Sequence, residues 1–261
     1  METEISLLSA RERFDAARSR IISLTPRSRH GIGMLSEKTL HAVLKFYMDP
    51  NEDHHEIPVD SYVADIFHDG RITEIQTARM DALRARLHCF LPQYPVRVVY
   101  PLPAQKWVVW VDPEDGSLIK RNRSPFRGSF YHAFRELYRL RPFLSDPRLS
   151  FELLLIDMEE YRLLDGWSRD KKRGSHRYER IPLRLVDRML LTCPQDYMQF
   201  VPDGLPEPFT SADFSKKAGI RAARGQGSGV STILLLLTEL GVLERVGKKG
   251  SAWLYRITED W

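Results

Sequence analysis

Two runs of alternating apolar and polar residues, SYVADIF and ITEIQT, are joined by His68-Asp69-Gly70-Arg71. Asp-Gly between alternating runs is a strong short-range signal for a two-residue β-hairpin, because both central residues of the favoured turn take positive φ. That turn sets the register: Asp65 faces Glu74, Val63 faces Gln76, and Phe67 faces Ile72. Side chains alternate across a strand, so Asp65, Glu74 and Gln76 share one face, expected to look outward from the core. Ala64, Ile66, Thr73 and Ile75 share the other, which suits packing. Carboxylates opposed at ~4.5–5.5 Å repel each other. A divalent cation removes that conflict, since oxygen ligands at ~2.0–2.6 Å are what Mg²⁺ or a similar ion takes from a carboxylate pair. The alternative is an ordinary hairpin with a polar solvent face.

The elements around this hairpin define an α/β chain. Met1 to about residue 30 reads as a helical lead-in and a Pro/Arg/Gly linker (TPRSRHGIG). A helix follows, with Ser36 as N-cap and Leu40, Val43, Leu44 and Tyr47 as its apolar stripe. The polar stretch DPNEDHHE ends it. After the hairpin, the pattern predicts a helix over Ala78–Leu91 and a buried strand over Val96–Tyr100. A second hairpin is expected at KWVVWVD and SLIKRN, turned at Pro113–Gly116. A helix over Ser129–Leu140, a strand over Phe151–Ile156 and a helix over Met158–Leu164 complete a domain spanning residues 31–182. His54 and His55, with Glu52, Asp53 and Glu56, read as a solvated loop. Trp107, Trp110 and Tyr100 alternate with valines and read as core or partner packing.

Helix, hairpin, helix, strand, with these acids in these places, resembles the core of the PD-(D/E)XK nuclease superfamily over about residues 36–101. That core is helix, three-strand meander, helix, strand, with an acid on the second strand and Asp/Glu-X-Lys on the third. Asp65 supplies the first acid, with Asp60 as the alternative, and Glu74-Ile75-Gln76 stands at the tripartite element. Glu37 fits the acid of the first helix. The resemblance implies a restriction-endonuclease-like mixed sheet flanked by helices and a phosphodiester hydrolase using Mg²⁺ or Mn²⁺. Asp65, Glu74 and the Ile75 carbonyl would hold the metal, Gln76 would position water, and Glu37 would support a second ion or water. Gln76 departs from the pattern, because a neutral amide does not supply the charge of Lys. His41 and Lys106 are candidates to compensate, and a silent, DNA-binding nuclease fold is the rival reading.

From Leu183 the texture changes. RLVDRMLL, SADFSKKAGI and GVSTILLLLTELG read as three helices, followed by VLERV and AWLYRIT around Gly247–Gly250, a hairpin with a basic tip. Three helices and a two-stranded wing resemble a winged-helix domain over residues 183–261. Gly225-Gln226-Gly227-Ser228-Gly229 reads as the turn into the third helix. That helix is apolar and carries few side chains able to read bases. This suits docking on DNA or on a protein partner, a second copy included, better than sequence-specific reading.

The net charge of +4 permits nucleic acid without requiring it, but its distribution is uneven. Candidate phosphate-facing residues are Arg121, Arg123 and Arg127; Arg169, Lys171, Lys172, Arg173 and Arg177; Arg221 and Arg224; and Lys248 and Lys249. No apolar run approaches the ~18 residues of a membrane span. The start has no apolar signal core, and Cys89 and Cys193 are far apart, so a cytoplasmic setting is expected. The combined expectation is a metal-dependent nuclease acting on DNA in restriction, repair or defence. A winged-helix regulator is the remaining rival.

Overall fold

A computed structural model describes residues 6–24, 39–112, 116–163, 176–220 and 229–258. It is α/β, with a mixed multi-strand sheet and helices against it. By compactness the chain divides into two units, residues 1–77, 99–129 and 153–189, and residues 78–98, 130–152 and 190–261.

The first unit holds helices α1 (Leu7–Leu24) and α2 (Thr39–Met48), strands β1 (His55–Val59), β2 (Tyr62–His68) and β3 (Arg71–Ile75), and most of β4 (Val96–Val111), β5 (Leu118–Arg127), β6 (Leu149–Leu163) and β7 (His176–Leu191). Strands lie in the order β1-β2-β3-β4-β6-β7, with β5 paired to β4. The expected hairpin is present. Asp69 and Gly70 both take positive φ, at 49° and 70°, and the register runs His68↔Arg71, Phe67↔Ile72, Ile66↔Thr73. The second hairpin is also present, with Trp110↔Lys120 and Val111↔Leu118 on either side of the turn.

Helices α1 and α2 cover the sheet through one apolar cluster in which Phe14, Leu40, Val43, Leu44 and Tyr47 meet Ile66, Ile75, Val99, Leu154, Ile156 and Leu185. Each fully buried side chain of this size contributes roughly 1.5–3 kcal/mol. Phe14 and Tyr47 meet edge to face at 5.8 Å, and Arg13 bonds the Tyr47 carbonyl at 2.7 Å. Glu179 on β7 accepts from the Thr39 amide at 3.0 Å. An acid at that point satisfies an orphan amide and complements the helix dipole, so it fixes where α2 starts against the sheet.

Three expectations are corrected. The stretch Met158–Leu164, expected to be helical, continues strand β6 to Leu163, and RLVDRMLL, expected to be a helix, lies within strand β7. Strand β1 occupies part of what reads as a polar loop. It is an edge strand, which is where its Pro58 can sit without costing a ladder hydrogen bond. The boundary expected at 182/183 falls inside β7. The linker and the Ser36 cap lie outside the described residues.

The second unit contains α3 (Arg84–Phe90), α4 (Phe134–Leu137), α5 (Ser211–Lys217), α6 (Val230–Glu239) and the hairpin β8 (Leu243–Lys249)–β9 (Ala252–Ile257). The helix expected over Ala78–Leu91 is a 3₁₀ turn, Met80–Leu83, running into α3. That over Ser129–Leu140 is a short α-helix between two 3₁₀ segments. Phe134 and Phe200 pack edge to face at 4.7 Å, and the Tyr131 hydroxyl donates to the Phe200 carbonyl at 2.9 Å. Thr210 and Asp213 cap α5 reciprocally. Helix α6 buries Val230, Ile233, Leu234, Leu236 and Leu237, so its apolar face serves the core.

Among the described glycines, Gly128 is the one where an added Cβ would meet the closest neighbour. A Cβ there would lie 1.7 Å from the Pro103 carbonyl oxygen, and the Gly128 amide already donates to the Ala104 carbonyl at 2.8 Å. Gly128→Ala should cost at least the ~1–3 kcal/mol of an overpacked core. Urea denaturation of the two proteins checks this, with equal midpoints contradicting it.

Candidate active site

Strands β2 and β3 place Asp65 and Glu74 on neighbouring segments of one hairpin. One step beyond the last paired residues, Ile66↔Thr73, the Ile75 amide donates to Asp65 Oδ2 at 2.7 Å. Asp65 is thus bonded directly to the segment Glu74-Ile75-Gln76. His41 from α2 comes to the same oxygen, with Nε2 at 3.3 Å. Four residues on, and hence on the same helical face, Lys45 pairs with Glu56 of β1. Gln76 leaves the hairpin with its amide donating to the Val99 carbonyl at 3.0 Å, which ties the end of β3 to β4.

The acids do not face solvent as expected. Asp65 is 9% exposed and Glu74 1%, and Thr73 and Ile75 are buried with them. Residues of both faces of the hairpin are buried here, Ile66 and Ile75 against α1 and α2 on one face and Asp65, Ile72 and Glu74 on the other. Asp60, the alternative first acid, sits in the β1–β2 turn with φ 52° and is exposed, away from the paired part of β3. Glu37 lies outside the described residues.

Other buried charges run along the sheet. Glu160 on β6 is 3% exposed. It meets Lys106 Nζ at 3.1 Å and Arg162 Nε at 2.7 Å. Burial pushes its pKa up, but Lys106 and Arg162 together outweigh burial and hold it below the ordinary 4.5. Arg180 donates to the Thr77 carbonyl at 2.9 Å, and burial, helped by nearby Arg177, pushes its pKa down to about 10. Asp157 accepts from the Gln105 amide at 3.1 Å and from Arg184 at 2.8 Å. None of Glu160, Asp157 and Arg184 stands out in the sequence as a candidate.

The proposed basic strip on β5 is partly engaged. Arg121 pairs with Glu159 at 2.7 Å and lies over the Trp107 ring, while Arg123 and Arg127 converge on Gln105 Oε1. Arg177 is exposed on β7, and Lys248 stacks on Trp253 at 4.3 Å in the β8–β9 hairpin, with Lys249 beside it. Arg169, Lys171, Lys172, Arg173, Arg221 and Arg224 lie outside the described residues.

A further group involves a residue read as solvated loop. Asp49, His54 and His68 offer ligand atoms that all lie within 4.8 Å of one another, the closest approach of three such groups among the described residues. Burial raises the Asp49 pKa, but the Asn51 amide and His54 outweigh it and hold the carboxyl below its ordinary value.

Residues 38–192 match the family described as Domain of unknown function (DUF8091). The chain belongs to that family. It is 32% identical over 235 residues to an "Uncharacterized protein" of Treponema pallidum (strain Nichols), covering 86% of this chain and 87% of the relative. No solved structure matches. The DUF8091 match spans α2 through β7, so the hairpin, the buried sheet charges and the Asp49 group all fall within it. Among the described residues, no helix is long and apolar enough to cross a membrane.

The low pKa of Glu160 has a consequence for acid stability. Its folded carboxyl binds a proton less tightly than its unfolded one, so its contribution is complete above about pH 4.5 and is lost as pH falls through the lower folded value. Glu160→Gln should lose about 3 kcal/mol at neutral pH by leaving Lys106 and Arg162 uncompensated. It should also flatten the fall in stability below pH 4.5, as read by urea midpoints across an acid series.

Proposed function

We propose that this DUF8091 protein is a metal-dependent nuclease of the PD-(D/E)XK type that cleaves DNA in a cytoplasmic restriction, repair or defence role. The observation that carries the reading is the bond from the Ile75 amide to Asp65, which draws the two acid-bearing segments together at the tripartite element. Two carboxylates buried on adjoining strands of one hairpin are costly, and an oxygen-seeking cation would offset that cost. The donor set fits: Asp65, Glu74 and the Ile75 carbonyl would hold Mg²⁺ or Mn²⁺, which when bound supplies Lewis-acid polarisation of a phosphodiester. Asp65 is held for that task by the Ile75 N–H and by His41. Gln76, anchored through its backbone to β4, presents an amide that can orient water but carries no charge. Lys106 is already committed to Glu160 at 3.1 Å, so His41 is the better-placed compensating group.

Basic residues on β5 and the wing-like β8–β9 hairpin would track the phosphate backbone. The α5, α6, β8, β9 succession supports a winged-helix reading of the C-terminal region. With α6 turned into the core, its task is docking on DNA or on a partner protein rather than base reading. The near-complete burial of Glu74 favours a second reading, a silent nuclease fold that binds DNA without cutting it.

Purified protein incubated with plasmid, linear DNA and RNA under Mg²⁺, Mn²⁺ or EDTA separates the two. The nuclease reading expects metal-dependent DNA products that Glu74→Gln reduces by at least the roughly 10–100-fold that even an outer partner of a metal ligand costs. Salt-sensitive DNA binding without products under either metal would favour the binding module. Equal cleavage by Glu74→Gln would remove the assigned site.

A further inference from the structure

We propose that Asp49, His54 and His68 form a binding site for a borderline divalent transition-metal ion, Zn²⁺ foremost, distinct from the Asp65–Glu74 pair. Three segments deliver the ligands. Asp49 follows the last residue of α2, His54 closes the 3₁₀ turn Glu52–His54, and His68 is the last residue of β2 before the Asp69-Gly70 turn. Asp49 Oδ2 and His54 Nδ1 are 2.7 Å apart, and the three ligand atoms lie within 4.8 Å of one another. Two donors at ~2.0 Å from a tetrahedral ion stand roughly 3.3 Å apart, so a shift of a few tenths of an ångström opens the pair to an ion.

The scaffold under these ligands is built. The Asn51 amide donates to Asp49 Oδ1 at 2.9 Å, leaving Oδ2 for the ion, and His55 Nε2 bonds the Asp49 carbonyl at 2.9 Å. Arg20 of α1 bonds the Pro50 carbonyl at 3.3 Å and pairs with Glu52, holding the turn from outside. The Asn51 side chain holds the far edge of the ring: its Oδ1 accepts from the Asp53 amide at 3.1 Å and its nitrogen lies 3.2 Å from His54 Nε2, which keeps Nδ1 turned toward Asp49.

His68 makes the one larger movement. Its ring stacks on His54 with centroids 3.9 Å apart and planes at 25°, and its Nε2 lies 3.1 Å from Asp69 Oδ2. Convergence on a common ion turns His68 out of the stack, which its 48% side-chain exposure leaves room for. Two imidazoles and one carboxylate select ions such as Zn²⁺ or Co²⁺ over Mg²⁺, which takes oxygen ligands. The bound ion would staple the end of α2 to the tip of the β2–β3 hairpin, leaving one position for water.

The test strips the full-length protein with EDTA, dialyses it, and titrates ZnCl₂ calorimetrically and CoCl₂ by visible absorption. The wild type should bind a single equivalent of Zn²⁺, and Co²⁺ should give ligand-field bands. His68→Ala, at an exposed ring, should weaken Zn²⁺ by roughly tenfold or more while Glu74→Gln leaves it unchanged. His54→Ala and Asp49→Asn should weaken it similarly. A wild type that binds no Zn²⁺, or a His68→Ala protein that binds as tightly as wild type, would overturn the site.

Discussion

A carboxylate buried in a sheet must find donors for its lone pairs, and the rest of the first unit is arranged around that requirement. Asp65 finds the Ile75 amide and His41. That one bond lies just beyond the pair Ile66↔Thr73, so the acid is a structural tie between the two strands. Asp157 finds the Gln105 amide and Arg184, and Glu160 finds Lys106 and Arg162. Removing Lys106 from Glu160 leaves a charge in low dielectric, at a cost of about 3–5 kcal/mol. A sheet built this way carries its polar groups as fixed, oriented elements rather than as a solvated rim.

The turn at Asp69-Gly70 was legible because its chemistry is local: two residues that tolerate positive φ, flanked by alternating runs. It gave the hairpin register correctly as far as Ile66↔Thr73. Segments where periodicity and pairing compete were not legible. RLVDRMLL places Leu185, Val186, Met189 and Leu190 at helical spacing with strong helix formers between them, yet it lies in β7 beside β6. MEEYRL is likewise rich in helix formers and lies in β6. In both cases sheet pairing outweighs a helix preference of a few tenths of a kcal/mol per residue. HEIPV escaped notice because a strand with a proline and two charged or polar residues has almost no apolar alternation, although an edge position accepts it.

The site was legible in part for the same reason. Residues close in sequence across a tight turn, Asp65 and Glu74, can be assigned to adjoining strands from spacing alone. Their burial cannot, since it depends on contacts made only in the folded unit. Asp49, His54 and His68 are separated by elements whose ends meet only in the folded unit, and read along the chain they look like polar punctuation. The two groups differ in chemistry: an oxygen-only acid pair suits a hard cation, while two imidazoles with one carboxylate suit a borderline one. This difference lets a single structural experiment tell them apart.

Crystals of the full-length protein grown with MnCl₂, examined by anomalous scattering at the manganese edge, test the central claim most directly. The account predicts an anomalous peak between the Asp65 and Glu74 carboxylates, within coordination distance of the Ile75 carbonyl. Well-ordered carboxylates with no peak between them, or manganese found solely at Asp49, His54 and His68, would contradict it.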